Sequence, residues 1–253
     1  MNKDLNESEI VPYHTSPPVG ERVIVLSPHP DDETLGCGGT IRLLIESKKN
    51  VKVLFLTSGG KADPSLNESD APQQDSVIDN YTALREKESE EALSILGVGD
   101  YEFLRFPDRE IKAYYNEAFE RLLKIMQDYT PDTVYSPSMV ELNPDHRATS
   151  ALALKLLDTF KIRVAFYEVT SPLRPNILVD TTYVHKCKET AVKKYSSQLR
   201  LINYIRHIDA LNTVRTLTVQ GPRYIEAFWL VNRPLTDDEI KEWLSYKLPV
   251  NFR

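Results

Sequence analysis

RVIVLSPHPDDETLGCGGTIRLLIESKKNVKVLFLT, residues 22–57, decides the fold. Its two ends, Arg22–Ser27 and Val51–Thr57, are short apolar runs rich in β-branched residues. Strands buried on both faces of a parallel sheet have that composition. Between them Gly38 to Lys48 reads as a helix, with Ile41, Leu44 and Ile45 on one side. A strand, a helix and a strand in about 35 residues make a βαβ unit.

The alternation continues outward from that unit. A polar loop with Pro64 and Pro72 is expected over 61–79, then a helix over Tyr81–Leu96 stopped by Gly97. Tyr101–Leu104 reads as a strand, Tyr114–Tyr129 as a helix and Asp132–Ser136 as a strand. Asn143–Phe160 reads as a helix with Asn143 as its N-cap and Pro144 at the first helical position. Arg163–Val169 is a further strand. Tyr183–Tyr195 and Leu199–Leu211 look helical, Tyr224–Val231 extended, and Thr236–Tyr246 is a terminal helix. The pattern predicts an α/β protein with a mostly parallel sheet. Residues 1–20, with Pro12, Pro17, Pro18 and Gly20, form an arm, and 21–253 a single domain. There is no internal repeat and no convincing linker.

Composition narrows the function classes. Of 253 residues, 41% are apolar and 27% charged, ordinary values for a globular protein, which excludes a disordered chain, a collagen and a coiled coil. Lys+Arg number 31 against 37 Asp+Glu, and the net charge of −6 argues against non-specific nucleic-acid binding. Cys37 and Cys187 are too few for a disulfide scaffold and are expected as free thiols in a reducing compartment. No apolar run approaches the ~18 to 20 residues of a membrane span. The polar N-terminus lacks the apolar stretch of a secretory signal, so the expected location is cytoplasmic. No local pattern fixes an oligomeric state.

The chemistry is densest just past the first strand, at Ser27-Pro28-His29-Pro30-Asp31-Asp32-Glu33-Thr34. Ligands of open α/β sheets bind beyond the carboxyl ends of strands. An imidazole and three carboxylates packed into five residues need a cation or a proton to offset their repulsion. A divalent metal is the simplest such compensation. His29 and Asp32, three apart across a tight turn, can share one ion, with Asp31 directed elsewhere. The plainer alternative is that the acids cap the following helix and complement its dipole. That leaves His29 and its flanking prolines unexplained.

Catalytic zinc usually has three protein ligands and a water, so a third ligand is needed. His146, in Glu141-Leu142-Asn143-Pro144-Asp145-His146-Arg147, also follows a strand and can converge on the same sheet edge. On spacing alone it is equally a surface histidine in a helix's first turn. His14 lies in the arm, and His185 and His207 are expected to be solvated. Gly36-Cys37-Gly38-Gly39 follows a strand like a dinucleotide fingerprint. The acids before it would repel pyrophosphate, and no acid ends the second strand to hold a ribose. These glycines are better read as letting the helix approach the sheet. Cys37 is expected as a small buried hydrophobe.

Pro28-His29-Pro30-Asp31-Asp32-Glu33 with Gly36-Cys37-Gly38-Gly39-Thr40, and Asn143-Pro144-Asp145-His146-Arg147-Ala148, resemble the two signatures of the PIG-L/LmbE-like zinc N-deacetylases. Leu84-Arg85-Glu86-Lys87-Glu88 and Tyr224-Ile225-Glu226-Ala227-Phe228 are weaker echoes. The resemblance spans about residues 22–230 and implies a Rossmann-like three-layer α/β/α fold holding one divalent metal, usually zinc. The implied reaction is hydrolysis of an acetamido group on an N-acetylglucosamine-type conjugate, a small molecule. Carried over by position, His29, Asp32 and His146 become metal ligands and Asp31 the general base. Arg85 falls where a substrate-contacting arginine is often placed, or is a salt-bridged residue on a helix surface. Asn143 departs from the family, whose second motif commonly begins with histidine. Asparagine can donate to an oxyanion but cannot deliver a proton, so Asn143 is either a catalytic donor or only a cap. Two rivals share the site: an amidase acting on another N-acyl or thiol conjugate, and a degenerate sugar-binding protein.

Overall fold

The structure is a computed structural model and describes residues 11–62 and 74–245. The elements in chain order are β1 (Arg22–Ser27), α1 (Asp32–Glu46), β2 (Asn50–Thr57), α2 (Gln74–Leu96), β3 (Asp100–Phe106), α3 (Tyr115–Tyr129) and β4 (Thr133–Pro137). They continue as α4 (Pro144–Thr159), β5 (Arg163–Tyr167), β6 (Ile177–Asp180), α5 (His185–Val192), α6 (Ser196–Leu199), α7 (Tyr204–Val214), β7 (Ile225–Val231) and α8 (Asp237–Ser245).

The strands form one seven-stranded sheet in the order β3-β2-β1-β4-β5-β7-β6. From β3 to β5 every pairing is parallel, and β7 runs antiparallel to both β5 and β6. β1 lies between β2 and β4, so the chain order reverses there. Such a switch point opens a crevice beyond the strand ends, where ligands of these sheets bind.

Side-chain alternation along each strand builds two cores. Val23 and Val25 of β1, with Val53 and Phe55 of β2, face Ile41 and Leu44 of α1, Leu93 of α2 and Val192 of α5. Ile24 and Leu26, with Leu54 and Leu56, face Leu122 of α3 and Leu152 and Leu156 of α4. Burying one such side chain stabilises the fold by ~1.5–3 kcal/mol. With helices on both faces, the architecture is the expected three-layer, Rossmann-like α/β/α.

The differences from expectation have physical causes. α1 begins at Asp32 rather than Gly38 and bends at Cys37 (φ −137°, ψ 23°). Its glycines are poor helix formers, yet contact requires them. A Cβ on Gly36 would lie 2.2 Å from Tyr167 Cδ2, and one on Gly39 2.7 Å from Thr181 Cγ2. Glu226 Oε1 and Oε2 accept from the Gly39 and Thr40 N–H groups at 2.8 and 2.7 Å, capping the second half of the bent helix. α2 starts at Gln74, inside the expected loop, while 63–73 lies outside the described residues. The edge strand β6 has no counterpart in the sequence reading, and the helices of the last third are shorter and shifted. In the arm, Ser16 N–H donates to Leu178 O of β6 at 2.7 Å, and Val19 exchanges hydrogen bonds with the Tyr135 hydroxyl. Among the described residues no helix is long and apolar enough to cross a membrane.

Candidate metal centre

The turn after β1 and the loop after β4 meet at the switch point. His29 Nδ1 lies 3.0 Å from Asp32 Oδ2, His146 Nε2 lies 3.1 Å from the same oxygen, and the two ring nitrogens are 3.3 Å apart. Hydrogen bonds alone do not satisfy this triangle, because each ring nitrogen carries at most one proton for two acceptors. Donors bound to one tetrahedral ion at ~2.0–2.1 Å stand ~3.3 Å from one another, close to the spacing seen. Two imidazoles and a carboxylate also suit a borderline-soft divalent ion. The residues therefore fit a metal.

The surrounding groups orient the ligands. His29 Nε2 faces Asp108 Oδ1 at 3.3 Å and Asp145 Oδ2 at 3.4 Å. A proton held there leaves Nδ1 as a bare donor, the usual carboxylate–imidazole–metal relay. Asp108 Oδ2 accepts from Lys61 N–H at 2.9 Å. Asp145 accepts from the N–H groups of Arg109 at 2.7 Å and Ile111 at 3.2 Å. His29, Asp108 and Asp145 form a second group with metal-ligand spacing. The first trio brings two imidazoles to one carboxylate, the donor set that suits a borderline-soft divalent ion, whereas the second has a single imidazole, so the first trio is the better site for such an ion. Glu141 Oε2 lies 3.6 Å from His146 Nδ1, within ion-pair reach but beyond hydrogen-bond length, and that buried nitrogen has no hydrogen-bond partner.

Electrostatics point the same way. Burial alone would lower the His146 pKa, but Asp32 and Glu141 outweigh it and push it up to about 9. His29 is likewise raised well above its ordinary value: burial opposes the shift, and Asp108, Asp145 and Asp32 prevail. For Asp32, burial favours the neutral acid, yet His146 and His29 hold the carboxyl well below the usual range. The cluster demands positive charge, and a divalent ion supplies it more compactly than two protons.

Asp31 stands apart from the trio. Its backbone adopts φ +145°, a region that strains any side-chain-bearing residue by ~1–3 kcal/mol. Arg85 holds it there. Arg85 Nη2 lies 3.0 Å from Asp31 Oδ2 and donates to Pro30 O, and Nη1 donates to Gly59 O at 3.0 Å. Arg85 is only 2% exposed, so it is not the helix-surface residue that the charged run of α2 suggests. Its Nε is buried without a partner. Burial raises the Asp31 pKa to about 7, with Arg85 opposing and Asp32 assisting. A carboxyl titrating near neutrality is poised for proton transfer.

Asn143 caps α4: its Oδ1 accepts from Asp145 N–H at 2.8 Å, which leaves Nδ2 as a donor. His29, Asp31, Asp32, Arg85, Asn143 and His146 all line one cavity of about 240 Å³. All six residues singled out from sequence thus converge. Asp108 and Asp145 are absent from that set, although Asp145 lies inside the second motif. His207 is half-buried and bonded to Val169 O at 2.7 Å. His185, expected in solvent, is buried, stacked on Tyr224 at 3.4 Å and bonded to Asp209 Oδ1 at 2.8 Å. Both thiols are free, and Cys37 is fully buried, as expected of a small hydrophobe.

Two imidazoles and an aspartate at the switch point, with the Asp31 carboxyl beside them, have the makings of a hydrolytic metalloenzyme. Sequence comparison agrees. Residues 24–157 match the PIG-L family, described as GlcNAc-PI de-N-acetylase, and the chain belongs to that family. The diacetylchitobiose deacetylase of Thermococcus kodakarensis is 30% identical over 199 residues, 70% of each chain. A probable N-acetyl-alpha-D-glucosaminyl L-malate deacetylase 2 of Bacillus anthracis is 30% identical over 154 residues, 58% of this chain and 65% of that one. Among solved structures, the N,N'-diacetylchitobiose deacetylase of Pyrococcus horikoshii superposes with a TM-score of 0.71 at 25% identity, covering 91% of this chain and 94% of that one.

Proposed function

We propose that the protein is a divalent-metal-dependent N-deacetylase, with zinc as its ion, that removes acetate from an N-acetylglucosamine-type conjugate. The observation that carries this reading is the single point at which His29 Nδ1, Asp32 Oδ2 and His146 Nε2 meet, with Asp31 alongside in the same cavity. The family and the named deacetylase relatives support it.

His29, Asp32 and His146 would hold the ion. A divalent cation there supplies Lewis acidity, which polarises the amide carbonyl and brings the pKa of water from 15.7 towards ~7. Asp31 accepts the proton of the attacking water as its oxygen adds to the carbonyl carbon. Arg85 fixes the Asp31 carboxylate. Asn143 Nδ2 donates to the oxygen that becomes negative in the tetrahedral species. Asp31 then returns its proton to the departing nitrogen as the C–N bond breaks, giving acetate and a free amine. One carboxyl acts first as base and then as acid, because Asn143 has no proton to give. We place the reaction in the cytoplasm, where both free thiols stay reduced.

The test is acetate release from a panel of N-acetyl sugars and N-acyl thiol conjugates, with Asp31→Asn as the diagnostic variant. Asp31→Asn is expected to retain fold and metal while losing ~10²–10⁴-fold in turnover. Unchanged turnover would remove Asp31 from the base role. Retained metal with no release from any member of the panel would favour a binding protein.

A further inference from the structure

Arg109 lies in the turn between β3 and α3, directly after Asp108, with φ at +69°. A side-chain-bearing residue is strained in that left-handed conformation, so the surroundings must impose it. Asp145 does so by accepting from the N–H groups of Arg109 and Ile111. Asp145 Oδ2 also faces His29 Nε2 at 3.4 Å. The turn is thus fastened to a carboxylate that orients a metal-site imidazole. Arg109 lines the same cavity as the metal ligands and is exposed to solvent.

The charge placed there is not neutralised within the chain. Arg109 Nη2 donates to Lys61 O at 3.1 Å, and among the described residues no carboxylate forms an ion pair with its guanidinium. The other arginine of the cavity, Arg85, is buried and paired with Asp31. An unpaired guanidinium presents a planar fork that matches a carboxylate or a phosphate. Asp31, Asp32 and Asp108 line the same cavity, and Asp31 is matched by Arg85. The remaining wall, Val169, Thr170, Leu201 and Ile202, carries no charge. An unmatched cation on this wall gives an asymmetric substrate one orientation.

We infer that Arg109 reads the group attached to the N-acetyl sugar, and that the preferred conjugate carries an oxyanion there, a carboxylate or a phosphate. The inference rests on the deacetylase reading and specifies its substrate class.

The test compares wild type, Arg109→Gly and Arg109→Lys, each loaded with metal. Glycine adopts φ +69° without strain and keeps the N–H that Asp145 engages, so the turn persists. Three substrates are used: N-acetylglucosaminyl malate for the carboxylate, N-acetylglucosamine 1-phosphate for the phosphate, and neutral methyl N-acetylglucosaminide. The readout is the ratio of kcat/KM for each anionic substrate to that for the neutral one, which cancels any general damage to the site. Wild type is expected to favour one of the anionic substrates, and which one identifies the source of the oxyanion. In Arg109→Gly that ratio is expected to fall by ~10- to 100-fold, chiefly through KM. Arg109→Lys should restore part of it, since a point charge replaces the fork. A wild type that favours the neutral sugar, or a ratio unmoved by Arg109→Gly, overturns the role of Arg109 and leaves the deacetylase reading standing. Absence of acetate release from all three substrates overturns that reading and this inference with it.

Discussion

His29 Nδ1 and His146 Nε2 lie 3.3 Å apart although 117 residues separate them in the chain. The parallel sheet brings them together. β1 and β4 are neighbours pointing the same way, so the turns that follow them open onto one crevice. Asp32, one turn beyond His29, closes the set. The residues that support this centre can each be tested on their own.

Asn143 combines a cap with a free amide donor, and substitutions divide the two roles. Asn143→Asp keeps an oxygen for the Asp145 N–H but removes the Nδ2 donor. Stability by urea unfolding should be nearly unchanged while kcat falls by ~10²–10³-fold. Asn143→Ala should lose the same activity and about 1 kcal/mol of stability as well. Full turnover in Asn143→Asp would reduce the residue to a helix cap.

Gly36 sets how closely α1 approaches β5. A Cβ there would meet Tyr167 Cδ2 at 2.2 Å and Glu168 O at 2.8 Å. The Tyr167 ring is itself anchored, its hydroxyl donating to Leu26 O at 2.8 Å. Gly36→Ala should therefore destabilise the protein by ~1–3 kcal/mol in equilibrium unfolding. Gly99, whose Cβ would meet nothing within 4 Å, is the control: Gly99→Ala should be neutral or slightly stabilising. Equal effects at the two positions would contradict the packing described.

Asp132 ties the entry of β1 to β4 far from the cavity. Burial favours its neutral form, but the Thr133 hydroxyl, the Arg22 and Glu21 N–H groups and Arg163 outweigh it and lower its pKa. A carboxyl lowered in the folded state adds stability above its unfolded pKa of about 3.9 and loses it as pH falls through the folded value. The stability gap between wild type and Asp132→Asn should be full near pH 7 and shrink on acidification below about pH 5. A gap independent of pH would show that the charge on Asp132 contributes nothing.

Much of the fold and site is legible in the sequence because short-range physics sets them. RVIVLS and VKVLFLT are strands by composition alone, and the His29–Asp32 turn declares its chemistry through crowded charge. What stays hidden depends on distant neighbours. The start of α1 is masked by glycines whose value lies in contacts with Tyr167, Thr181 and Glu226. β6 is only four residues, ILVD, and extends because β7 offers it an edge. Arg85 sits in a charged helical run that reads as surface, yet it is buried against Asp31 and the β2 exit. Asp108 has no local signal. It reaches His29 because β3 runs parallel to β2 and ends beside the same crevice.

The central claim is that one ion sits between His29, Asp32 and His146. The most direct measurement is anomalous diffraction from crystals loaded with zinc. The account predicts one strong peak in contact with His29 Nδ1, Asp32 Oδ2 and His146 Nε2, abolished in His146→Ala. A peak on the opposite side of the same imidazole, held by His29 Nε2 with Asp108 and Asp145, or no peak in the cavity at all, would contradict it.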